Sequence, residues 1–190
     1  MKREVWYSIV IRDKDGKVLH RERHRSKSFI RQWITTVYLH ANQHFEYTGC
    51  KATDGTNPVT VSDVDTFKMN APAGNASYGI LIGTGDTAVT ISDYNLEAKI
   101  AHGVGAGQMS YQACSVAVSV VAAPNCGFIV SRSIVNNSGG LITVKESGIA
   151  YDQWTSPQKY YLGLRDVFGS PQDVPNGGSI TVNYTLRVQV

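Results

Sequence analysis

Ile180-Thr-Val-Asn-Tyr-Thr-Leu-Arg-Val-Gln-Val190 ends the sequence on a strict alternation. Ile180, Val182, Tyr184, Leu186, Val188 and Val190 are apolar or aromatic, while Thr181, Asn183, Thr185, Arg187 and Gln189 between them are polar. Successive side chains of a strand point to opposite faces, so this stretch predicts a strand with one face on a core and the other on water. At about 3.3 Å per residue it spans roughly 35 Å. With no polar tail after it, this end is expected to be held by strand pairing.

Upstream, the second half of the chain reads as a series of strands. Phe128 to Val135 and Leu141 to Glu146 flank Asn136-Asn-Ser-Gly-Gly140, a hairpin signal. Phe128, Val130, Arg132 and Ile134 share one face of this hairpin, and Ile142, Val144 and Glu146 share another. If both faces point inward, Arg132 and Glu146 stand opposite each other or one diagonal step apart. A lone charge on an apolar face is far too costly, so a structural Arg132–Glu146 ion pair is predicted. The pair is architectural, because one carboxylate beside a permanently protonated arginine offers neither a glycosidase's second carboxylate nor a usable general base.

Met109, Tyr111 and Ala113 alternate on one phase, and Cys114, Val116, Val118 and Val120 continue on the other, which predicts a bulge or a segment buried on both faces. Tyr78 to Ile82 is a short buried strand, and the glycines of Gly83-Thr-Gly85-Asp86 after it make a turn, since no phosphate-loop or dinucleotide spacing surrounds them. Tyr160, Leu162, Leu164 and Phe168 restart the alternation, with Asp166 breaking it. Several strands with connections of roughly 5 to 10 residues predict a mainly β chain, an antiparallel β-sandwich or jelly roll.

The first 45 residues differ. Val5 to Ile11 is a strand, Asp13-Lys-Asp-Gly16 a hairpin turn, and Val18 to Arg23 its return. The Asp-x-Asp-Gly spacing opens like a calcium loop, but the downstream bidentate Glu and the flanking helices are missing. Arg21, Arg23, Arg25 and Lys27, with His20 and His24, form the one dense basic run. After it Phe29, Ile30, Trp33, Ile34, Val37 and Ala41 recur at the spacing of one N-terminal amphipathic helix, with Ser26 and Ser28 as caps. Those four cations are a possible anion contact at a helix start. The opposing reading, a solvated strand edge on which charge discourages stray pairing, is favoured because formal net charge is only +3. Residues 1–45 therefore read as a strand-hairpin-helix module packed on the main domain, 46–76 as an extended polar loop or arm, and 77–190 as the β-sandwich core, one domain overall.

The sequence patterns that single out an enzyme are missing. His40 and His44 have metal-ligand spacing, but Ala41 stands where a zinc protease carries its Glu, and no third ligand follows. No Ser-His-Asp order or carboxylate pair can be assembled, so neither catalytic residues nor a cofactor or metal are expected. Cys50, Cys114 and Cys126 are an odd number without a CxxC, as expected of free thiols in a reducing compartment. Nothing has a signal peptide's apolar core, and no stretch approaches the roughly 20 apolar residues of a membrane span.

Three runs carry a resemblance. Ser131-Arg-Ser-Ile-Val-Asn-Asn-Ser-Gly-Gly-Leu-Ile-Thr-Val-Lys-Glu-Ser-Gly148 resembles a pattern of structural proteins of tailed bacteriophages. So do Leu164-Arg-Asp-Val167 with Val174-Pro-Asn-Gly177 before the last strand, and Ile80-Leu-Ile-Gly-Thr-Gly85 with Ser92-Asp-Tyr94. The resemblance covers residues 78 to 190. It implies a virion subunit of a tail, neck, baseplate or capsid surface, made in the host cytoplasm. Its partners would be copies of itself and other virion proteins, with DNA contact possible but not favoured and no membrane. It supplies no catalytic residues. The alternative is a carbohydrate- or receptor-binding module of a virion fibre, with Tyr151, Trp154, Tyr160 and Tyr161 as a stacking platform.

Overall fold

The computed structural model describes residues 2–26, 29, 30, 33, 51–56, 67–153 and 158–189. Among them ten strands are formed: β1 (Lys2–Arg12), β2 (Val18–Ser26), β3 (Gly79–Gly83), β4 (Ser110–Tyr111), β5 (Ser115–Val116), β6 (Val120–Ala122), β7 (Asn125–Val135), β8 (Ile142–Gln153), β9 (Lys159–Val174) and β10 (Ser179–Gln189). They make two antiparallel sheets. The larger runs β2-β1-β10-β7-β4, with β5 and β6 also on β7, and the smaller runs β3-β8-β9. No helix among the described residues is long and apolar enough to cross a membrane.

The closing alternation places β10 at the centre of the larger sheet. Tyr184 is flanked by Tyr7 of β1 and Val130 of β7, Val182 by Ile9 and Arg132, and Ile180 by Ile11 and Ile134. All nine side chains are buried. A fully buried Ile, Val or Tyr contributes about 1.5–3 kcal/mol, so these rows outweigh anything the exposed ion pairs of β2 add. Thr181, Asn183 and Thr185 face the other way and are half-buried.

The smaller sheet packs its inner face on these rows. Tyr184 Oη lies 2.7 Å from Ser147 Oγ of β8, and the Tyr7 ring stacks on Phe168 of β9 at 5.8 Å. Because neighbours alternate, Glu146 and Gly148 turn away from the larger sheet. That outer face is covered too, so Glu146 through Tyr151 are buried without interruption. Gly148 is required there: a Cβ on it would press on the Leu164 carbonyl and sit 3.1 Å from Leu96 Cδ2.

Four expectations change. Asn136–Gly140 does not close a hairpin, because β7 and β8 lie in different sheets. Strand β7 already has β10 on one edge and β4, β5 and β6 on the other, so no edge is left for β8. Buried Asn136 anchors the crossing instead, donating to the Gly140 and Val174 carbonyls at 2.8 Å each and accepting from the Ser138 amide and hydroxyl. The phase switch after Tyr111 is neither a bulge nor a doubly buried strand, but a break into three short strands on one edge of β7.

Strands β1 and β2 are part of the larger sheet through β10. Most of the expected helix lies outside the described residues, as do His40, His44 and Cys50. Phe29, where it was to begin, instead bridges Leu164, and the Ile30 amide donates to the Gly163 carbonyl. Gly163 is the extra residue of a β9 bulge, and a Cβ there would meet the Trp33 ring at 2.8 Å. Nor are the described parts of 46–76 a free arm. Ala52, Met69 and Ala71 are buried, Thr53 donates to the Tyr160 carbonyl, and Lys68 bridges Asp152.

Burial first, and then the Asp166 carboxylate, push the Tyr7 and Tyr184 phenols well above their ordinary value of 10.0. Burial does the same to Tyr111. A phenol whose folded pKa is raised contributes stability that is complete below the unfolded value and is lost as pH rises past it. Alkaline titration followed by tyrosinate absorbance and circular dichroism together should show these tyrosines ionising only with unfolding. Ionisation of all ten tyrosines of the chain with the sheet signal intact would contradict the burial described here.

Candidate functional site

Arg132 leaves the inner face of β7 with an apolar neighbour at each side and reaches the backbone of β3. Its Nε donates to the Gln112 carbonyl at 2.7 Å, Nη1 to the Tyr78 and Ile80 carbonyls at 3.1 Å each, and Nη2 to those of Pro72 and Asn75 at 3.3 and 2.5 Å. A guanidinium has five N–H groups, and each has an acceptor. The group also lies over the Tyr111 ring at 4.8 Å. Its charge is held by carbonyl dipoles and an aromatic face. Burial pulls its pKa below the ordinary value. The expected ion pair with Glu146 is not formed, because the two residues stand in different sheets and Glu146 turns to the outer face.

Glu146 is fully buried and saturated by other partners. Its Oε1 accepts from the Gly85 and Ala98 amides at 3.3 and 2.9 Å; its Oε2 accepts from the Glu97 amide at 3.2 Å and from Arg165 Nε at 2.8 Å. Arg165 also donates to Asp93 at 2.8 Å and to the Thr87 carbonyl at 3.2 Å, with Glu97 at 3.6 Å. Burial disfavours the Arg165 cation, but Asp93 and Glu146 outweigh it and hold its pKa above the ordinary value. Asp93 is pushed up by burial and pulled down harder by the Thr90 hydroxyl and Arg165, and Glu97 is lowered by the Thr87 amide and hydroxyl. Through this ionic centre the loop of residues 84–98 is laced onto the outer face of the smaller sheet.

Gly83-Thr-Gly85 serves that carboxylate. A Cβ on Gly85 would stand 2.7 Å from Glu146 Oε1, and one on Gly83 would stand 2.7 Å from the Ala98 carbonyl. These glycines let backbone amides close on an anion, as glycine-rich phosphate loops do, but the anion is the chain's own side chain. Sequence reasoning missed Arg165. The signal for it was a second charged residue beside Asp166 inside an apolar run.

Two surfaces carry the remaining predicted residues. Arg21, Arg23 and Arg25 pair with Val10, Ser8 and Trp6 and so share the outer face of the larger sheet, while Lys27 lies outside the described residues. At the sheet's other edge, Val116, Val118, Val120 and Val121 of β5–β6 are exposed, Val118 at 86% and Val121 at 78%. No Asp, Glu, Lys or Arg occurs from Ile100 to Ser131. An apolar groove of about 610 Å³, lined by Phe128, Leu186, Val188, Trp33 and Cys126 among others, adjoins that edge at Ser119. The aromatic platform is not assembled: Tyr151 and Tyr161 are buried against each other at 5.7 Å, Tyr160 stacks on Tyr78, and Trp154 lies outside the described residues.

Two experiments check the buried centres. In double-mutant cycles read by denaturant unfolding, Arg132 and Glu146 should couple by less than about 0.5 kcal/mol, whereas Glu146 and Arg165 should couple by about 1 kcal/mol or more. Arg132→Lys should alone destabilise by at least about 2 kcal/mol, since three donors replace five and each orphaned carbonyl costs roughly 1–3 kcal/mol. For pH, Asp93 and Glu97 are held below their ordinary 3.8 and 4.5, so their contribution is present above those values and lost as pH falls through the lower folded ones. Protection of the Gly85 and Ala98 amides, relative to the intrinsic exchange rate at each pH, should therefore fall in acid before protection in β10 does; simultaneous loss in both would refute a separately held loop.

No family model, curated protein or solved structure matches this chain.

Proposed function

We propose that this chain is a structural subunit of a tailed-bacteriophage virion, a β-sandwich that works by self-association in a symmetric assembly of a tail, neck, baseplate or capsid surface. The runs around Ser131–Gly148 and Leu164–Val167 support the virion reading by resemblance alone. The observation that carries self-association is the contrast between the two edges of the larger sheet.

Soluble proteins guard an edge strand with charge, because its unpaired backbone groups otherwise recruit another chain. Strand β2 is guarded in this way by Arg21, Arg23 and Arg25. The β5–β6 edge has no charge and presents a row of valines to water, which is costly unless something covers it. A second copy fits: strand addition would supply main-chain hydrogen bonds, and a projecting valine edge set against the apolar groove of the next copy is a heterologous contact, which repeats into a ring or a tube. The described parts of 46–76 are tied to their own subunit and play no part in this contact. The fibre-module alternative has lost Tyr151 and Tyr161, which are buried, and no other observation favours it.

The test is the oligomeric state. The protein should form a discrete oligomer by light scattering, with rings or tubes of defined diameter in negative stain. Val118→Lys combined with Val121→Lys should return it to a monomer that keeps the circular-dichroism signal of the sheets, because both side chains are exposed. A wild-type monomer at high concentration would overturn self-association, and an oligomer indifferent to the two lysines would overturn this edge as its seat.

A further inference from the structure

Alternation along β2 sorts its charges onto two faces. Glu22, on the inward row, takes both neighbouring histidines, with His24 Nε2 at 3.2 Å and His20 Nε2 at 3.4 Å. Arg21, Arg23 and Arg25 point the other way, about 6.7 Å apart along the strand. On this outer face Glu4 of β1 binds Arg187 of β10 at 2.6 Å and approaches Arg25 at 3.7 Å. Among the described residues no carboxylate lies within salt-bridge distance of Arg21 or Arg23.

The strip also has an aromatic and a floor. The Arg23 guanidinium sits 4.9 Å over the Trp6 ring, with Arg187 at 5.9 Å from the same ring. A guanidinium over an indole face can still direct N–H groups at a planar or tetrahedral anion. Beside the arginines runs a ladder of hydroxyl and amide groups: Asn183 donates to Ser8 at 3.2 Å, Ser131 donates to Asn183 at 2.5 Å, and Thr181 donates to Ser133 at 3.3 Å. Glu4 is the one acidic side chain on the outward rows of β2, β1, β10 and β7.

We propose that the outer face of β2, β1 and β10 is a binding track for the phosphate backbone of nucleic acid, with Arg21, Arg23 and Arg187 as phosphate contacts and Trp6 as their aromatic support. Edge protection explains arginines on β2. It does not explain why the track continues inward across Trp6 to Arg187 on the central strand, over a floor whose one carboxylate is Glu4. Repeated phosphates match a row of evenly spaced cations. The contacts read no bases, so binding is independent of sequence and governed by salt.

Fluorescence anisotropy with a labelled DNA duplex, across a salt series, tests the proposal. About three contacts predict a log–log salt slope between roughly −2 and −3, and Arg21→Gln with Arg23→Gln should remove about 2 from its magnitude. Glu4→Gln should act with the opposite sign, tightening binding by releasing Arg187 and Arg25, an effect that damage to the fold does not produce. Absence of binding at low salt, an unchanged slope in the arginine variant, or weaker binding by Glu4→Gln would each overturn the track. So would polyglutamate binding as tightly as the duplex, which would assign the face to an acidic protein instead.

Discussion

Among the described strands β3 has a neighbour on one side only, and the structure depends on how its other edge is satisfied. Buried backbone groups without partners are costly, and Tyr78, Ile80 and Ile82 all direct theirs away from β8. No further strand among the described residues supplies the partners. Arg132 takes the Tyr78 and Ile80 carbonyls, Tyr111 Oη takes the Ile82 amide at 3.3 Å, and the Ile100 amide donates to the Ile82 carbonyl at 3.0 Å. Two of those three closures are side chains of the larger sheet. Apolar contact between sheets is non-directional and tolerates sliding, whereas a guanidinium fork on five carbonyls does not. The register of one sheet on the other is thereby set by hydrogen bonds.

The same geometry explains what the sequence could and could not disclose. The alternation of Ile180 to Val190 identifies β10 and its buried face, because period two needs only one strand to be visible. Arg132 on the apolar row of β7 shows that a partner must exist. It does not show which, since backbone carbonyls belong to every residue and leave no mark in composition. Glu146 is the nearest carboxylate only if Asn136–Gly140 closes a hairpin. It does not, because the number of strands already paired to β7 is a property of the whole topology. Gly and Asn in that segment signal a turn, and a turn between sheets uses the same residues as one within a sheet.

Glu146 and Arg165 were legible in part. They stand on adjacent strands, where Glu146 pairs with Val167 and Gly148 with Arg165, so the two side chains are diagonal neighbours on one face. What hid the pair was the cover over that face. Residues 84–98 look like polar loop, and only with the loop folded down do the amides of Gly85, Glu97 and Ala98 converge on the carboxylate. The Gly83-Thr-Gly85 spacing marks a place where backbone meets an anion; without the fold, nothing says that the anion comes from within.

These centres also bear on where activity can reside. A group that does chemistry needs a lone pair or a proton that is free to move, and a group that binds needs an unused donor or acceptor. Arg132 has committed its five N–H groups, and both oxygens of Glu146 already accept two bonds each. The charges most deeply buried among the described residues are therefore spent on closing sheet edges and fastening a loop. The groups with capacity to spare are on the surface: the guanidiniums of β2 and the bare backbone and valines of β5–β6. They lie at opposite edges of one sheet, so occupation of either leaves the other open.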